Sequence, residues 1–408
     1  MKLLDVTEFY SKRGGGVRSH LSQKGHVLCQ LGHRHTVVAP GASEGWAARE
    51  NCPSGGVTQV YHVSGPALPY DPTYHLLFRL DKVRAAISAE KPDILEIHSP
   101  YAAALAALSM GSESFGIRTF VWHADFIDTY LRGSLEKHLG IWGTDKTVEP
   151  LWAWVRRIAR GCSATFAATR WQAGKLERHG VERVRCIPFG IEKEVFHPGR
   201  RNETWRAEMH ALAPHDRPER DRKHANDLPK SPIFAAIGRM AVEKRWDVVV
   251  EAYRQVAERT GAVFAIFGDG PERAKLERGL AGLPVRFFGF ENDRDKLATA
   301  LASSDLLIHG CPFETFGLGV AEALACGLPA VLPDEGGAAE QARPESTLLY
   351  RSGDAEACAD AILQMLARNQ DELRGLAASA AMRVDSVQQH FAAMLAAYAE
   401  LFALEGHR

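Results

Sequence analysis

"LLIHGCPFETFGLGVAEALACGLPAVL", residues 306 to 332, reads as one strand, one helix and a second strand in close succession. An apolar strand at Leu306–His309 runs into a short loop. A helix begins near Gly317 and stops before Gly327 and Pro329, and a second apolar strand follows at Ala330–Leu332. Glycine and proline both interrupt helices, the first by its conformational freedom and the second by its missing N–H. Two glutamates frame the turn. Glu314 lies in the loop before Phe316, Gly317 and Leu318, and Glu322 lies within the helix.

The same alternation extends in both directions. The first half carries strand patterns at Leu3–Val6, Thr36–Ala39, Val57–Val63, Ile94–His98, Arg118–Trp122, Ala164–Ala167 and Val184–Ile187. The second half carries them at Ile233–Ile237, Val263–Phe267, Val285–Phe288, Leu306–His309, Ala330–Leu332 and Leu348–Tyr350. Near-continuous apolar strands separated by helices suit parallel sheets covered on both faces. The fold class is therefore α/β, with two doubly wound domains. A chain of 408 residues also exceeds one hydrophobic core.

The expected organisation is a first domain over 1–200, a linker with an insertion over 201–231, a second domain over 232–385 and a C-terminal helix over 386–408. "PGRRNETWRAEMHALAPHDRPERDRKHANDLPKSP", residues 198 to 232, is charged, proline-rich and poor in apolar residues, with one short helix near Glu203–Leu212. Phe391, Leu395, Tyr398 and Phe402 recur at helical spacing, so the last helix must dock on the body of the protein.

An apolar fraction of 46% and a charged fraction of 24% describe an ordinary soluble globular protein. A net charge of −1 excludes a global field drawing the chain to nucleic acid. The seven cysteines, Cys29, Cys52, Cys162, Cys186, Cys311, Cys326 and Cys358, are scattered and odd in number. That pattern predicts reduced thiols and a cytoplasmic location rather than a disulfide framework. "MKLLDVTEFY" is too short an apolar run for a signal peptide, and no stretch approaches a membrane span. Peripheral binding at the inner face of the cytoplasmic membrane stays open.

Ligands of doubly wound domains bind outside the carboxyl ends of the strands. After the first strand comes "RGGGVRSH", with Gly14, Gly15, Gly16, Arg18 and His20. It fits either a tight surface turn or a backbone cradle for an anion at a helix start; it is not a dinucleotide fingerprint. After Ile233–Ile237 comes "GRMAVEKRWD", where Arg239 and Lys244 follow Gly238. Two such cations either clasp a diphosphate or stand solvated at the surface. "FGDGPER", residues 267 to 273, contains Gly268 and reads either as a site loop or as a simple helix-initiating turn. Near Gly317 the helix start offers N–H groups carrying a partial positive charge of about half a unit. A carboxylate such as Glu322 accepts two hydroxyl hydrogen bonds, which suits a ribose diol or a sugar ring.

In this order and spacing, "GRMAVEK", "GDGPER" and "PFETFGLGVAEALACG" resemble the family-4 glycosyltransferases, retaining enzymes of the GT-B fold with an E-x7-E element, here Glu314 to Glu322. The glycine turn, "VWHADFIDTY" and "IPFGIEKEVFHP" extend the resemblance over nearly the whole chain. It implies two Rossmann-like domains facing a central cleft. It also implies that Arg239 and Lys244 bind the donor diphosphate, helped by Gly238 and Gly268. Glu322 would hold the ribose hydroxyls. Glu314, Phe316, Gly317 and Leu318 would contact the transferred sugar or its phosphate, and His123 would touch the sugar. Gly15 and Gly16 would approach the diphosphate, with Arg18, His20 and Asp125 on the acceptor side. Phe189 departs from the family, which often has Asn there.

The implied reaction is transfer of a hexose from a nucleotide sugar, UDP-hexose first and GDP-mannose second, to a lipid, lipid-linked or glycan hydroxyl. Arg239 and Lys244 would replace the metal that other transferases use, so no metal and no other cofactor is expected. A nucleotide-sugar epimerase, a sugar-phosphate synthase and a non-catalytic nucleotide-binding module are the rival readings. "LWAWVRRIARGC", residues 151 to 162, interleaves Trp152 and Trp154 with Arg156, Arg157 and Arg160. It reads either as a helix lying at an anionic membrane surface or as a buried helix with arginines on its wet face.

Overall fold

Lys2–Val6 and Ile233–Ile237 hold the same place in two separate sheets: each is the strand at which strand order reverses. The computed structural model describes residues 1–11, 15–69, 71–213 and 231–405. Lys12, Arg13 and Gly14 of the glycine turn lie outside the described residues, as does most of the insertion, 214–230. The chain forms two units, Met1–Pro188 with Val387–Arg408, and Phe189–Ser386.

The boundary expected at residue 200 therefore falls at 188. The residues that follow 188, up to Ser386, group with the second unit. Arg206, on the helix Glu203–His210, donates to the Ser303 carbonyl at 2.6 Å and to Asp305 Oδ1 at 2.9 Å. That helix is shorter than expected by two residues at its end and is capped by Asn202, whose side chain accepts the Trp205 N–H at 2.9 Å.

The first unit contains β1 (Lys2–Val6), β2 (Arg34–Gly41), β3 (Gly45–Asn51), β4 (Val57–Ser64), β5 (Ala67–Leu68), β6 (Asp71–His75), β7 (Ile94–Ile97), β8 (Ile117–Trp122), β9 (Ala164–Ala167) and β10 (Val184–Cys186). Its main sheet runs β10-β9-β8-β7-β1-β2-β4-β3, parallel except for the edge strand β3. Leu3, Leu4, Asp5 and Val6 of β1 are all buried, which shows that helices cover both faces of this strand. The second unit contains β11 (Ile233–Ile237), β12 (Val263–Phe267), β13 (Val285–Gly289), β14 (Leu306–Ile308), β15 (Ala330–Pro333) and β16 (Thr347–Tyr350), ordered β13-β12-β11-β14-β15-β16 and parallel throughout.

The strand β3 and the β5–β6 hairpin were not legible in the sequence. Six of the seven residues of β3 are exposed, so no apolar alternation marks it. Its end carries a correction: Cys52 is disulfide-bonded to Cys29, at the end of the helix Gly16–Gln30, against the expectation of reduced thiols throughout. The other five cysteines are free.

The Trp–Arg segment is also settled. It closes the helix Gly133–Arg160, whose Gly140 is non-helical. Trp152 is buried and stacks on His179 at 3.8 Å, and Trp154 Nε1 donates to the Pro100 carbonyl at 2.6 Å. Both rings serve the core, so residues 151–162 do not form a membrane-facing aromatic surface. Among the described residues, no helix is long and apolar enough to cross a membrane.

The final helix, Val387–Glu405, packs on the first unit through Val387, Phe391, Met394, Ala397, Tyr398 and Leu401. Behind it lies a buried polar group built from four elements. Lys24 Nζ sits 2.8 Å from Asp5 Oδ1 and 2.7 Å from Glu96 Oε1. His35 Nε2 meets Asp5 Oδ2 at 2.7 Å, and Tyr398 donates to Glu96 Oε2 at 2.7 Å. Burial alone would raise both carboxyls, but Lys24 leads the neighbouring groups that hold them well below the usual range. Stability from such depressed carboxyls is present above their unfolded pKa and is lost as pH falls. Removing one partner of a buried ion pair leaves an uncompensated charge, at a cost of about 3–5 kcal/mol. Lys24→Met should therefore lower the free energy of unfolding, read from urea titration at pH 7, by about 3–5 kcal/mol.

Candidate active site

The reversal of strand order at β1 parts the loops that follow β1 and β7, and ligands bind at such points. The β1 loop leads to Gly15, at φ 118°, where a Cβ would lie 3.3 Å from the Tyr74 hydroxyl. Gly15 and Gly16 are exposed at the start of the helix Gly16–Gln30, where backbone N–H groups can meet an anion. Arg18 donates to the Ser11 carbonyl at 2.7 Å and lies 5.3 Å from the Tyr10 ring, so its head is tied to the loop before it. His20 is buried, its ring 5.2 Å from that of His123.

His123 follows β8, and its Nε2 lies 2.7 Å from His98 Nδ1. The two rings and Phe9, Tyr101 and Phe126 line a small depression at the strand ends. Asp125 does not open onto it. It is buried in an ion pair with Lys175, which also holds Asp128. Burial raises the Asp125 carboxyl, and Lys175 offsets only part of that. The pair anchors the loop after β8.

In the second unit the reversal falls at β11, between β12 and β14. The loop after β11 carries Gly238, Arg239 and Lys244. Arg239 is exposed, and its carbonyl accepts the Trp246 Nε1–H at 2.9 Å, which fixes the loop backbone. The loop after β12 packs directly on it: a Cβ on Gly268 would stand 1.9 Å from the Gly238 oxygen, and one on Gly270 would stand 2.4 Å from the Met240 oxygen. The two loops are also tied by Met240 N–H to the Asp269 carbonyl at 2.9 Å.

Across the reversal, the loop after β14 brings Glu314 to Lys244, with Nζ 2.6 Å from Oε1. His309 Nε2 is 3.5 Å from the same oxygen. Burial alone would raise Glu314, but the Lys244 ammonium holds it well below the usual carboxylate range; burial alone would lower Lys244, but Glu314 holds it well above the ordinary lysine value. The pair is an ionised couple at a strand end, where Lys244 lines a second small depression with Ile237, Gly238 and Trp246.

Gly317 caps the helix Leu318–Ala325 in the left-handed region at φ 89°. The N–H groups of Phe316, Gly317 and Leu318 make no backbone–backbone hydrogen bond among the described residues. Gln341 Nε2 instead donates to the carbonyls of Phe316 and Gly317, which turns those oxygens inward. Glu322 is buried on this helix, one turn in, and pairs with Arg294 at 2.9 Å. Burial raises the Glu322 carboxyl, with Arg294 opposing. Phe189 packs edge-on against Phe316 at 5.4 Å, where its ring narrows the approach to the helix start.

Several neighbours of these residues escaped the sequence reading. Arg294 joins Glu192 and Glu322, each at 2.9 Å, yet nothing in its own surroundings marks it. Gly336 and Gly337 clamp the Glu314 loop; Gly337 N–H donates to the Glu314 carbonyl at 2.7 Å, and a Cβ on Gly336 would stand 2.2 Å from the Pro312 oxygen. The paired glycines after an apolar strand were the available signal. Among the described residues three groups bring metal-type donors within 4.8 Å: His309 with Cys311 and Glu314, His20 with His98 and His123, and Asp5 with Glu96 and His98. Lys244 already places a cation on Glu314, Lys24 places one on Asp5 and Glu96, and the His98–His123 bond already uses a lone pair.

Residues 14–195 match the family model described as Glycosyltransferase Family 4, and residues 231–368 match the model described as Glycosyl transferases group 1. The chain belongs to glycosyltransferase family 4. A GDP-mannose-dependent alpha-(1-6)-phosphatidylinositol dimannoside mannosyltransferase of Mycobacterium tuberculosis is 29% identical over 364 residues, covering 88% of this chain and 84% of that one. A GDP-mannose-dependent alpha-mannosyltransferase of Mycolicibacterium smegmatis is 27% identical over 364 residues, covering 88% and 86%. The solved structure of sucrose-phosphate synthase from Thermosynechococcus elongatus superposes with a TM-score of 0.74 at 17% identity, covering 99% of this chain and 100% of that one. The fold of this family-4 glycosyltransferase is GT-B.

The glycine contact between the β11 and β12 loops generates a direct test. Gly268 has φ +128°, a conformation that costs a side chain on the order of 1–3 kcal/mol even before the clash with Gly238. Gly268→Ala should lower the melting temperature and weaken nucleotide binding. Gly375→Ala, in a helix with open space around it, should be neutral or stabilising. Calorimetry of both variants reads the contrast.

Proposed function

We propose that this glycosyltransferase moves mannose from GDP-mannose to a hydroxyl of a lipid or lipid-linked glycan, with retention of configuration and without a metal ion. The observation that carries the reading is the Lys244–Glu314 pair, set beside exposed Arg239 and the N–H groups of the Gly317 helix start. That is a place for the diphosphate of a nucleotide sugar. Negative charge grows on the diphosphate as the sugar leaves. Cations and N–H dipoles already aimed there stabilise that charge without reorganising, a contribution on the order of 2–4 kcal/mol for each contact. Lys244 and Arg239 take the part that a divalent ion plays in other transferases. The departing phosphate orients the acceptor hydroxyl on the same face of the sugar, which preserves configuration without an enzymic nucleophile.

The relatives that use GDP-mannose favour that donor and reverse the order expected from the sequence, in which UDP-hexose stood first. Glu322, its carboxylate positioned by Arg294, accepts the ribose hydroxyls. Losing an ionised acceptor costs roughly 1.5–3 kcal/mol, so Glu322→Gln should weaken GDP binding by about ten- to a hundredfold with little change in melting temperature. Titration calorimetry checks it. Incubation with GDP-mannose and UDP-glucose in EDTA tests the whole reading. Mannosyl transfer or slow GDP-mannose hydrolysis is expected; a requirement for manganese or magnesium, or an isomerised nucleotide sugar, counts against it.

A lipid acceptor gains support from a second surface. Leu139, Ile141 and Trp142 are 50%, 70% and 72% exposed on the first unit, and Lys146 lies 3.8 Å from the Trp142 ring. Exposed apolar side chains beside a cation suit the headgroup boundary of an anionic bilayer. Sedimentation with phosphatidylinositol-containing vesicles should carry the protein down at low salt. Replacing Ile141 and Trp142 by Ala should release it, while Arg156→Glu should not.

A further inference from the structure

We propose that His98 is a positioning residue that sets which ring nitrogen of His123 carries the proton, and so makes His123 Nδ1 a hydrogen-bond donor to the transferred sugar. The inference rests on the reading of His123 as a sugar contact. His98 lies at the end of β7 and is wholly buried. Its Nδ1 is 2.7 Å from His123 Nε2, and the two rings stack with centroids 4.9 Å apart. Its Nε2 is 3.3 Å from Glu96 Oε1 and 3.5 Å from Asp5 Oδ2. One edge of His98 therefore meets two carboxylates and the other meets His123.

The groups around this axis come from every element packed on it. Asp5 is on β1; His20 and Lys24 are on the helix Gly16–Gln30; His35 is on β2 against Asp5. Thr119 of β8 donates to Glu96 Oε2 at 2.8 Å, and Tyr398 of the final helix donates to the same oxygen at 2.7 Å. His390 of that helix stands 5.3 Å from the His20 ring, its Nδ1 2.7 Å from the Pro188 carbonyl, and burial lowers it to about 4. Two anions face His98 Nε2, and Lys24 is shared between those anions. Burial alone would lower His98, but Asp5 and Glu96 outweigh it and raise it. Burial lowers both His20 and His123 well below the usual imidazole value, which favours the neutral form of each.

Proton positions follow. With His98 as imidazolium, Nε2–H faces the carboxylates and Nδ1–H donates to His123 Nε2. The single proton of neutral His123 is then on Nδ1, and whatever Nδ1 meets, it meets as a donor. At higher pH the pair loses one proton to solvent. His98 keeps Nε2–H, the bridging proton belongs to His123 Nε2, and His123 Nδ1 becomes an acceptor. Three ring protons become two, and the character of His123 Nδ1 inverts.

Nitrogen-15 spectra of histidine-labelled full-length protein with GDP read the tautomer, and the pH profile of kcat for mannosyl transfer reads its consequence. In the native protein His123 should show a protonated Nδ1 at neutral pH, and kcat should fall along an alkaline limb. His98→Asn keeps an N–H near the Nδ1 position and cannot titrate, so it should retain most of kcat and abolish that limb. His98→Phe should lose the Nδ1–H signature and reduce kcat on the order of tenfold with KM for the donor little changed. Tyr398→Phe removes a donor from Glu96, strengthens its pull on the His98 proton and should move the limb to higher pH. An alkaline limb that persists in His98→Asn would overturn the proposal, even if His98→Phe fails to fold. Undiminished kcat in His123→Ala would instead sink the reading of His123 as a sugar contact, an outcome distinct from loss of tautomer control.

Discussion

Every parallel strand needs a crossover, and where successive crossovers go to opposite sides, two neighbouring loops must part. In this chain that happens beside β1 in one unit and beside β11 in the other. The chemistry described above lies at those partings or beside them. The loops after β11 and β14 set Lys244 against Glu314, and the loops after β7 and β8 set His98 against His123. Neither pair is close in sequence. Each exists because parallel strands in register deliver their carboxyl ends to one edge.

The two partings are supported differently. In the second unit, backbone packs on backbone: Gly268, Gly270, Gly336 and Gly337 permit approaches that any Cβ would block. Glycine there is a steric requirement, and the charged side chains are carried on stiff loops. In the first unit, the support is a buried lattice of charge and hydrogen bonds around Lys24, Asp5 and Glu96. Buried networks of this kind hold geometry only while every member keeps its partner. One site is therefore held by shape, and the other by charge.

Much of this was legible in the sequence, for identifiable reasons. Buried parallel strands are apolar throughout, so thirteen strand patterns were readable from composition alone, and Glu314, Lys244 and Gly317 could be placed from their position after strands. The exposed edge strand β3 lacks that signal, and the Cys29–Cys52 pairing depends on it. Trp152 and Trp154 stayed open between surface anchors and core, because a tryptophan beside arginines reads the same whether its ring faces lipid or core. Arg294 and His98 were invisible because their significance comes wholly from partners brought by other elements. Residue type and local spacing carry strand chemistry well; they carry cross-element pairing only when a motif names it.

The chain leaves the first unit at residue 188 and returns to it at 387. Leu3, Ile94, Val121 and Phe166 are covered by the returning helix, and Glu96 takes a hydrogen bond from it. On the ribosome the amino-terminal unit thus waits, incomplete, through synthesis of the whole second unit. The second unit is contiguous and can close first, although domains generally fold in the order in which they emerge. The half that is made first is finished last.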